Sequence, residues 1–542
     1  MTTQITPALP LLKVRAQDWK STLAEQLVTH GYVIREKPWG AIAWYESDIR
    51  RLDNTTDWVE AVEIRSSWLG RGKEYISVSN KRQYLDRERN IIREAEHLIL
   101  GPLERPSVNQ GELLNGIKRA ADFIELDDSF EKVKNALQGQ ALPLFKMTSA
   151  VGANNCQYEL QQDMWTSIAR NGAFQIPESV EIVVVHDSEL SEKTSMVAKY
   201  CDTIERKFWQ VNRQSSSIKI HKTHLERILD SVQERIANPA DTHFDNRVFL
   251  IAITGKKGMP LPSKQLEFLD CLDQLGYQYR LFSYDNKNLT YSASNQLISL
   301  IEGAGGVSYR LNLPYPESYE NGVFFGVDLG HDAGRGRSNL VVSVVDQYGG
   351  YILSVRHCIK LNEAIDKSIL VDILNHAKSA SEEKLGHPIH RVIILRDGKI
   401  PEKRKASRFE SIGDYLNALN CPTSVIEVRK RQNPPLYALS QAGQASQVFG
   451  YKFQAEGTDV QFFNAYASNF GIPNTFKVVI PNRGDTFGWG IDVFANIIAG
   501  LCYSPSLGMK PHLPGPIYWA DGIAKTSETD NRFRGQYVIE HC

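Results

Sequence analysis

Residues 323–334 read VFFGVDLGHDAG. An apolar run through Val323, Phe324, Phe325 and Val327 meets Asp328, and glycines follow at 330, 334 and 336. The run predicts a buried β-strand that delivers a carboxylate at its tip. An aspartate before glycine is commonly a turn residue. It is also the kind of ligand a hard cation takes.

The pattern recurs. HRVIILRDG (390–398) predicts a second strand, closing on Asp397. Between the two, SNLVVSVVDQYGGYILSVRHC reads as a hairpin with Gly349–Gly350 in its turn, followed by a helix over 362–384. A helix over 409–418 and the strand TSVIEVRK follow the second aspartate. Three strands, then helix, strand, helix, strand is the order of an RNase H-like fold, a mixed sheet whose first three strands are antiparallel.

Strands starting from one edge of such a sheet can bring their carboxyl ends together. Two acidic tips meeting there repel each other unless a cation sits between them. Hard oxygen ligands with open positions favour Mg²⁺ or Mn²⁺. Two such ions about 4 Å apart can hold the attacking and leaving oxygens of a phosphodiester. GVDLG also resembles the phosphate-binding start of actin-like ATPases and sugar kinases. That reading needs a second glycine-rich loop, whose spacing LRDGK lacks.

Upstream, 166–320 alternates strand and helix: SVEIVVVHD, a helical stretch at 190–212, RVFLIAITG, SKQLEFLDCLDQLG, YQYRLFS, SASNQLISLIEGAGG and VSYRLNL. Alternation of this kind argues for a parallel sheet covered by helices. The turn-rich LPYPESYENG (313–322) makes a boundary. Residues 1–165 mix short strands (GYVIRE, AIAWYES) with polar helical stretches at 81–100 and 112–137. The expected class is α/β: a mixed α+β N-terminal region (1–165), a Rossmann-like domain (166–320) and an RNase H-like domain (321–542).

A chain of 542 residues accommodates such an arrangement. Hydrophobic residues make up 42% and charged residues 23%, as in an ordinary globular protein. No apolar run approaches the roughly 18 residues of a membrane span, and the N-terminus does not read as a signal peptide. No membrane partner is expected. Seven cysteines, with no CxxC pair, argue against a disulfide framework or a zinc site and fit the cytoplasm. The formal net charge of −1 does not announce a nucleic-acid binder, yet basic residues gather at 205–222, 391–408 and 429–431. Such runs are either solvated faces or contacts to phosphates.

Together these blocks resemble the PIWI domain of prokaryotic Argonaute proteins. GVDLGHD resembles the first catalytic-aspartate motif and VIILRDGKIP the second. PGPIYWADGIAK (514–525) resembles the C-terminal block that carries the fourth catalytic residue, and KLNEAIDKSIL the segment of the glutamate finger. The resemblance implies an acidic tetrad of Asp328, Glu363, Asp397 and Asp521. The three aspartates would hold the metal ions. A helix-start position near an Asn362 cap is the plainer reading of Glu363, and a helix cap that of Asp521. His331 reads as a loop residue or a group supporting the metal ligands. Lys399, Lys403, Arg404 and Lys405 would meet backbone phosphates.

By the same resemblance, 166–320 is similar to the MID domain, which holds the 5′ end of a guide. Lys264, Arg280 and the C-terminal carboxylate of Cys542 are the implied pocket residues. Gly303 stands where the family usually has a lysine, which argues against tight 5′-phosphate recognition and opens a 5′-hydroxyl guide or a differently built pocket. The first 165 residues are few for a full PAZ domain, which implies a compact variant. The implied partners are a guide oligonucleotide, DNA or RNA, and its complementary target. The implied activity is guided, two-metal-ion cleavage of that target in defence against invading nucleic acid. The alternative is a silent guided binding module that signals through an effector protein.

Overall fold

The computed structural model describes residues 6–8, 11–15, 17–52, 54–68, 74–92, 110–125, 129–132, 149–160, 164–186, 191–237, 247–253, 261–283, 289–316, 319–332, 336–360, 365–400, 410–430, 433–439, 445–447, 451–454, 460–464, 475–481, 487–505, 513–525 and 538–541. The chain forms two compact units: residues 1–143 with 428–480, and residues 144–427 with 481–542.

The first unit is built on an antiparallel sheet. Its strands follow the spatial order Val33–Lys37, Gly40–Trp44, Asp57–Trp68, Glu74–Leu85, Leu11–Val14, Phe130–Lys132. Leu23 and Leu27 of the helix Trp19–Thr29, and Ile117, Ala121 and Ile124 of the helix Gln110–Glu125, join Ile64, Ile76 and Val78 of the sheet in one core. Two expectations are corrected here. Residues 81–85 are not helical but finish the strand Glu74–Leu85, which pairs with Asp57–Trp68 from Trp68↔Glu74 to Asp57↔Leu85. A ladder of that length overrides the helical preference of a polar local sequence. The helix expected over 112–137 ends at Glu125, and Phe130 returns to the sheet with its ring buried. Among residues 428–480, the strands Tyr451–Gln454, Val460–Asn464 and Phe476–Val479 form an antiparallel meander.

The second unit begins with the expected alternation. β1 (Ser179–His186), α1 (Ser191–Val211), β2 (Ser217–His224), α2 (Leu225–Ala237), β3 (Arg247–Ile253), α3 (Ser263–Gln274), β4 (Gln278–Ser283) and α4 (Leu289–Gly303) follow in turn. The strands lie in the order β2–β1–β3–β4, every pair parallel. The pairs α1 with α4 and α2 with α3 pack together, as expected when helices cover both faces of a doubly wound sheet. The basic run at 205–222 hid β2. It is an edge strand with no buried side chain, alternating largely between exposed and half-buried positions, and charge on an edge discourages further pairing.

A second sheet in this unit contains β5 (Gly322–Asp332), β6 (Arg337–Asp346), β7 (Tyr351–Lys360), β8 (Arg391–Asp397), β9 (Thr423–Arg429) and β10 (Val538–Glu540). Their order is β9–β8–β5–β6–β7–β10. β5, β6 and β7 are successively antiparallel, and β8 runs parallel to β5. Gly349 takes the positive φ (85°) that the tight turn between β6 and β7 requires. The first crossover helix, α5 (Lys367–Leu385), starts later than expected. Its N-cap is Asp366, whose carboxylate accepts the Ser368 N–H at 3.0 Å, rather than Asn362. α6 (Ile412–Asn417) opens on a capping box of Ser411 and Asp414. α7 (Gly515–Ala524) packs on β5 and β6.

Candidate metal centre

β5 organises the site. Alternate residues of a strand face opposite sides. Val323, Phe325 and Val327 join the core with Leu370, Ile373 and Leu374 of α5. Gly326, Asp328 and Gly330 share the other face, and there α7 rests on bare backbone. A Cβ on Gly326 would stand 2.0 Å from the Pro516 carbonyl oxygen, and one on Gly330 2.3 Å from that of Ala524. The glycines around Asp328 are therefore landing places for a helix.

This corrects the expectation that β5 ends at Asp328. The strand continues to Asp332, and its antiparallel pairing with β6 runs unbroken through Asp328↔Val341 to Asp332↔Arg337. Only the parallel pairing with β8 stops earlier, at Val327↔Arg396. Asp328 and Asp397 are thus the next residues on two neighbouring strands. Asp397 does close its strand, and Gly398 follows in the left-handed region (φ 85°).

Asp521, on α7, meets them. One carboxylate oxygen from each of Asp328, Asp397 and Asp521 lies within 4.8 Å of the others. Asp521 sits in the second half of its helix, so it is not a cap. Asp328 is only 6% exposed. Three carboxylates this close disfavour one another's charge. An all-oxygen donor set of this kind fits Mg²⁺ or Mn²⁺.

Two cations touch the cluster. Lys525, one helical turn past Asp521, pairs with its Oδ1 at 2.5 Å. Arg396 is buried beside Asp397. Its Nε donates to the Tyr415 hydroxyl at 3.1 Å and lies 3.7 Å from Glu410 Oε2. Its Nη1 donates to the Asp397 main-chain oxygen. Burial alone would lower the Arg396 pKa. The neighbouring Tyr415, Glu410, Asp328 and Asp397 outweigh it and push the pKa above its ordinary value. Part of this positive charge is taken up by Glu410, so the aspartates remain incompletely balanced. Glu427, buried on β9, accepts the Ile400 N–H at 2.7 Å and anchors the backbone just past Gly398.

The structure brings Asp328, Asp397 and Asp521 together. Glu363, Lys403, Arg404, Lys405 and Cys542 lie outside the described residues. Lys399 is exposed two residues after Asp397. His331 lies near the end of β5, where its Nδ1 is 2.8 Å from Ser338 Oγ. Lys264, in the first turn of α3, is exposed and pairs with Glu226 at 2.8 Å. Arg280 is not displayed on the surface in the same way. Its Nη1 donates to the Tyr279 carbonyl at 2.7 Å, and its guanidinium interacts with Glu302 and Tyr351. Sequence reasoning missed Arg396, Glu410, Tyr415 and Glu427. One signal was available for Glu427: an acid inside the apolar strand TSVIEVR, at a position that proves buried.

Fold and site together define a protein of Argonaute architecture, an α/β chain with MID-like and PIWI-like parts. In sequence as in fold, the chain resembles the prokaryotic Argonautes. No family model matches it. It is 26% identical to the Thermus thermophilus argonaute over 237 residues, 43% of this chain and 32% of that protein. It is 29% identical to the Marinitoga piezophila argonaute over 118 residues, 22% of this chain and 18% of that one. The matches therefore span less than a third of these relatives. Among solved structures, Marinitoga piezophila Argonaute with a 5′-hydroxyl guide RNA and target DNA aligns with a TM-score of 0.63 at 12% identity, covering 94% of this chain and 85% of that one. Clostridium butyricum Argonaute with guide and target DNA aligns with a TM-score of 0.63 at 13% identity, covering 95% and 86%. Drosophila Piwi aligns with a TM-score of 0.61 at 9% identity, covering 93% and 82%. Among the described residues no helix is long and apolar enough to cross a membrane.

Proposed function

We propose that this protein is a nucleic-acid-guided endonuclease that cuts the strand complementary to its guide, in defence against invading nucleic acid. The observation that carries the reading is the convergence of Asp328, Asp397 and Asp521, from two strands and a helix far apart in sequence. The structural relatives bound to guide and target strands support the guided-binding part of it. In this reading residues 166–320 hold the guide's 5′ end, with Lys264, Arg280 and Cys542 as candidate contacts. Residues 321–542 carry the chemistry, and residues 1–165 form a separate N-terminal region.

Asp328, Asp397 and Asp521 would hold Mg²⁺ or Mn²⁺. Bound there, the ions would neutralise the scissile phosphate and activate a water. The three aspartates act as fixed oxygen ligands, positioned by the β5–β8 register and by helix contact at Gly326 and Gly330. Lys525 would exchange its partner Asp521 for solvent or a phosphate when the ions bind. Glu363 is proposed as the fourth acid. Lys399, Lys403, Arg404 and Lys405 would contact the nucleic-acid backbone, so binding should weaken steeply with salt. Cleavage would leave a 3′-hydroxyl and a 5′-phosphate.

The test is a guide-loaded cleavage assay with Mg²⁺ or Mn²⁺ and a chelator control. Asp397→Ala should abolish cutting and leave guide and target binding near normal. Retained cutting by that variant overturns the site. Wild-type protein that binds both strands yet never cuts with either ion supports the alternative, a binding module that signals through an effector protein.

A further inference from the structure

At the outer edge of the sheet that carries the aspartates, three histidines meet beside a very short strand. β10 (Val538–Glu540) ends the strand order and pairs in parallel with β7 through Ser354↔Val538, Val355↔Ile539 and Arg356↔Glu540. Two of its residues are half-buried and the third is exposed. A ladder this short is marginal in water, so side chains decide whether it stays. On one face the Arg356 guanidinium pairs with the Glu540 carboxylate, with Nε 2.8 Å from Oε1. That carboxylate is 53% exposed, so the pair is screened and holds weakly. His357 lies on the opposite face of β7. There His541, the residue after β10, enters between β7 and α5. Its main-chain N–H donates to the Arg356 carbonyl at 2.8 Å.

The His541 ring centroid lies 5.2 Å from that of His357 on β7 and 4.9 Å from that of His376 on α5. All three side chains are half-buried. His357 Nδ1 donates to the His541 main-chain oxygen at 2.6 Å, a contact that survives whether His357 is neutral or charged. The third contact does not. His541 Nδ1 and His376 Nδ1 are 3.1 Å apart. Two neutral imidazoles satisfy it, one as donor and one as acceptor, and so do one neutral ring and one charged ring. Two imidazolium rings cannot, because each Nδ1 then carries a hydrogen and neither offers a lone pair. Three other groups set the charge around His541. His376 and His357 disfavour a proton there, and Asp372, one turn before His376 on α5, favours it. Burial is the largest influence, and with the two histidines it holds the His541 pKa below its ordinary value. Arg356 and Glu540 neutralise each other on the far side of the sheet.

We propose that β10 is an acid-released strand: the His376–His541 contact clasps it to β7 and α5 while at most one of the two rings is charged, and a second proton opens the clasp. The docked strand binds fewer protons than the released one. Docking is therefore complete above the ordinary histidine pKa of about 6.5 and is lost as pH falls below it. Release uncovers the edge of β7. That edge lies two strands from Asp328, in the cross-strand row Asp328↔Val341↔Arg356. The clasp does not depend on the guided-endonuclease reading, since none of its residues touches the aspartates or a nucleic acid.

The test is amide hydrogen exchange of the full-length protein at about pH 7.5 and about pH 5, read by mass spectrometry and corrected for the intrinsic rate at each pH. A chelator is present throughout, so that loss of an ion cannot imitate protonation. Peptides covering Val538–His541 and the outer strand β7 should lose protection roughly tenfold or more in acid. Peptides of β5, β6 and β8 should keep theirs. His376→Gln keeps a hydrogen-bonding side chain that cannot charge, and it should leave β10 protected at both pH values. His541→Gln makes the same test if the first variant does not fold. His357→Gln should retain the acid response, because its contact tolerates a proton. The proposal is overturned if wild-type β10 is equally protected at both pH values, or if β5 and β6 open with it, which would be unfolding of the whole unit. It is also overturned if His376→Gln and His541→Gln respond to acid as the wild type does, or if His357→Gln alone removes the response. Target cutting by the Asp397→Ala variant is read separately, and that substitution should leave the exchange of β10 unchanged.

Discussion

Gly330 and Ala524 are in backbone contact: a Cβ on the glycine would lie 2.3 Å from the alanine carbonyl oxygen. The same carbonyl accepts the Asn339 side-chain N–H at 3.1 Å, and Asn339 is the register partner of Gly330 on β6. This contact, with that of Gly326 and Pro516, fixes α7 on the sheet and so fixes Asp521 beside Asp328.

Gly330→Val should therefore act at a distance. Overpacking of this kind costs about 1–3 kcal/mol, and the helix must lift, carrying Asp521 away. The expected result is a lower melting temperature together with loss of Mn²⁺ binding, read by calorimetry. Gly413→Ala is the control, because its Cβ would meet nothing closer than 3.9 Å. Unimpaired Mn²⁺ binding by Gly330→Val would refute the positioning role.

Divalent ions should stabilise the fold. A ligand that binds only the native state adds about 2.7 kcal/mol when free at 100 times its Kd. The wild-type melting temperature should rise with Mn²⁺, and that of Asp328→Asn should not. Without metal, Asp328→Asn should be no less stable than wild type, since it removes one of three repelling charges. A metal-dependent rise in Asp328→Asn equal to that of wild type would count against the cluster as the site.

Lys525 competes with the ions for Asp521. The lysine side chain is 45% exposed, so solvent screens the pair and its worth is on the order of 0.2–1 kcal/mol. Lys525→Met should tighten Mn²⁺ binding by up to roughly fivefold. Weaker binding in the variant would mean that the lysine helps to hold the site.

The buried Arg396 is a structural charge. Arg396→Met would strand Glu410, which is 1% exposed, and removing one partner of a buried pair costs about 3–5 kcal/mol. Urea denaturation should register that loss, and the double variant Arg396→Met/Glu410→Gln should recover part of it. Additive losses would show that the two side chains are not coupled.

Glu302 should impose a pH dependence. Burial raises its pKa to about 7; the Ser308 hydrogen bond and Arg280 oppose the shift, and Asp346 adds to it. Between the ordinary carboxyl range and pH 7 the native state holds this proton and the unfolded chain does not. The group's contribution to stability therefore falls as pH rises through that window and is level above it. Glu302→Gln removes the titration. Its stability relative to wild type should increase from pH 4.5 toward pH 7, in paired melting curves. A constant difference across the window would disprove the raised pKa.

Much of the second unit was legible in the sequence because its signals are local. The β-branched runs at 179–186 and 391–397 carry their structure in a few adjacent residues. The polar edge strand Ser217–His224 was not legible, since only its pairing with β1 distinguishes it from a solvated run. The same holds for residues 81–85, whose strand exists through partners from Lys81↔Ala61 to Leu85↔Asp57, twenty or more positions away.

The sequence by itself determined that Asp328 and Asp397 stand at the ends of apolar runs, and the motif likeness nominated Asp521. Tertiary structure alone decided that the three acids meet. It also decided that Gly326 and Gly330 receive a helix rather than make a turn, and that Arg396 is buried against Glu410 and Tyr415. Strand and turn preferences act over a few residues. Carboxylate repulsion and helix landing depend on distances between separate segments, 69 residues apart for Asp328 and Asp397 and 194 for Gly330 and Ala524, which no local pattern encodes.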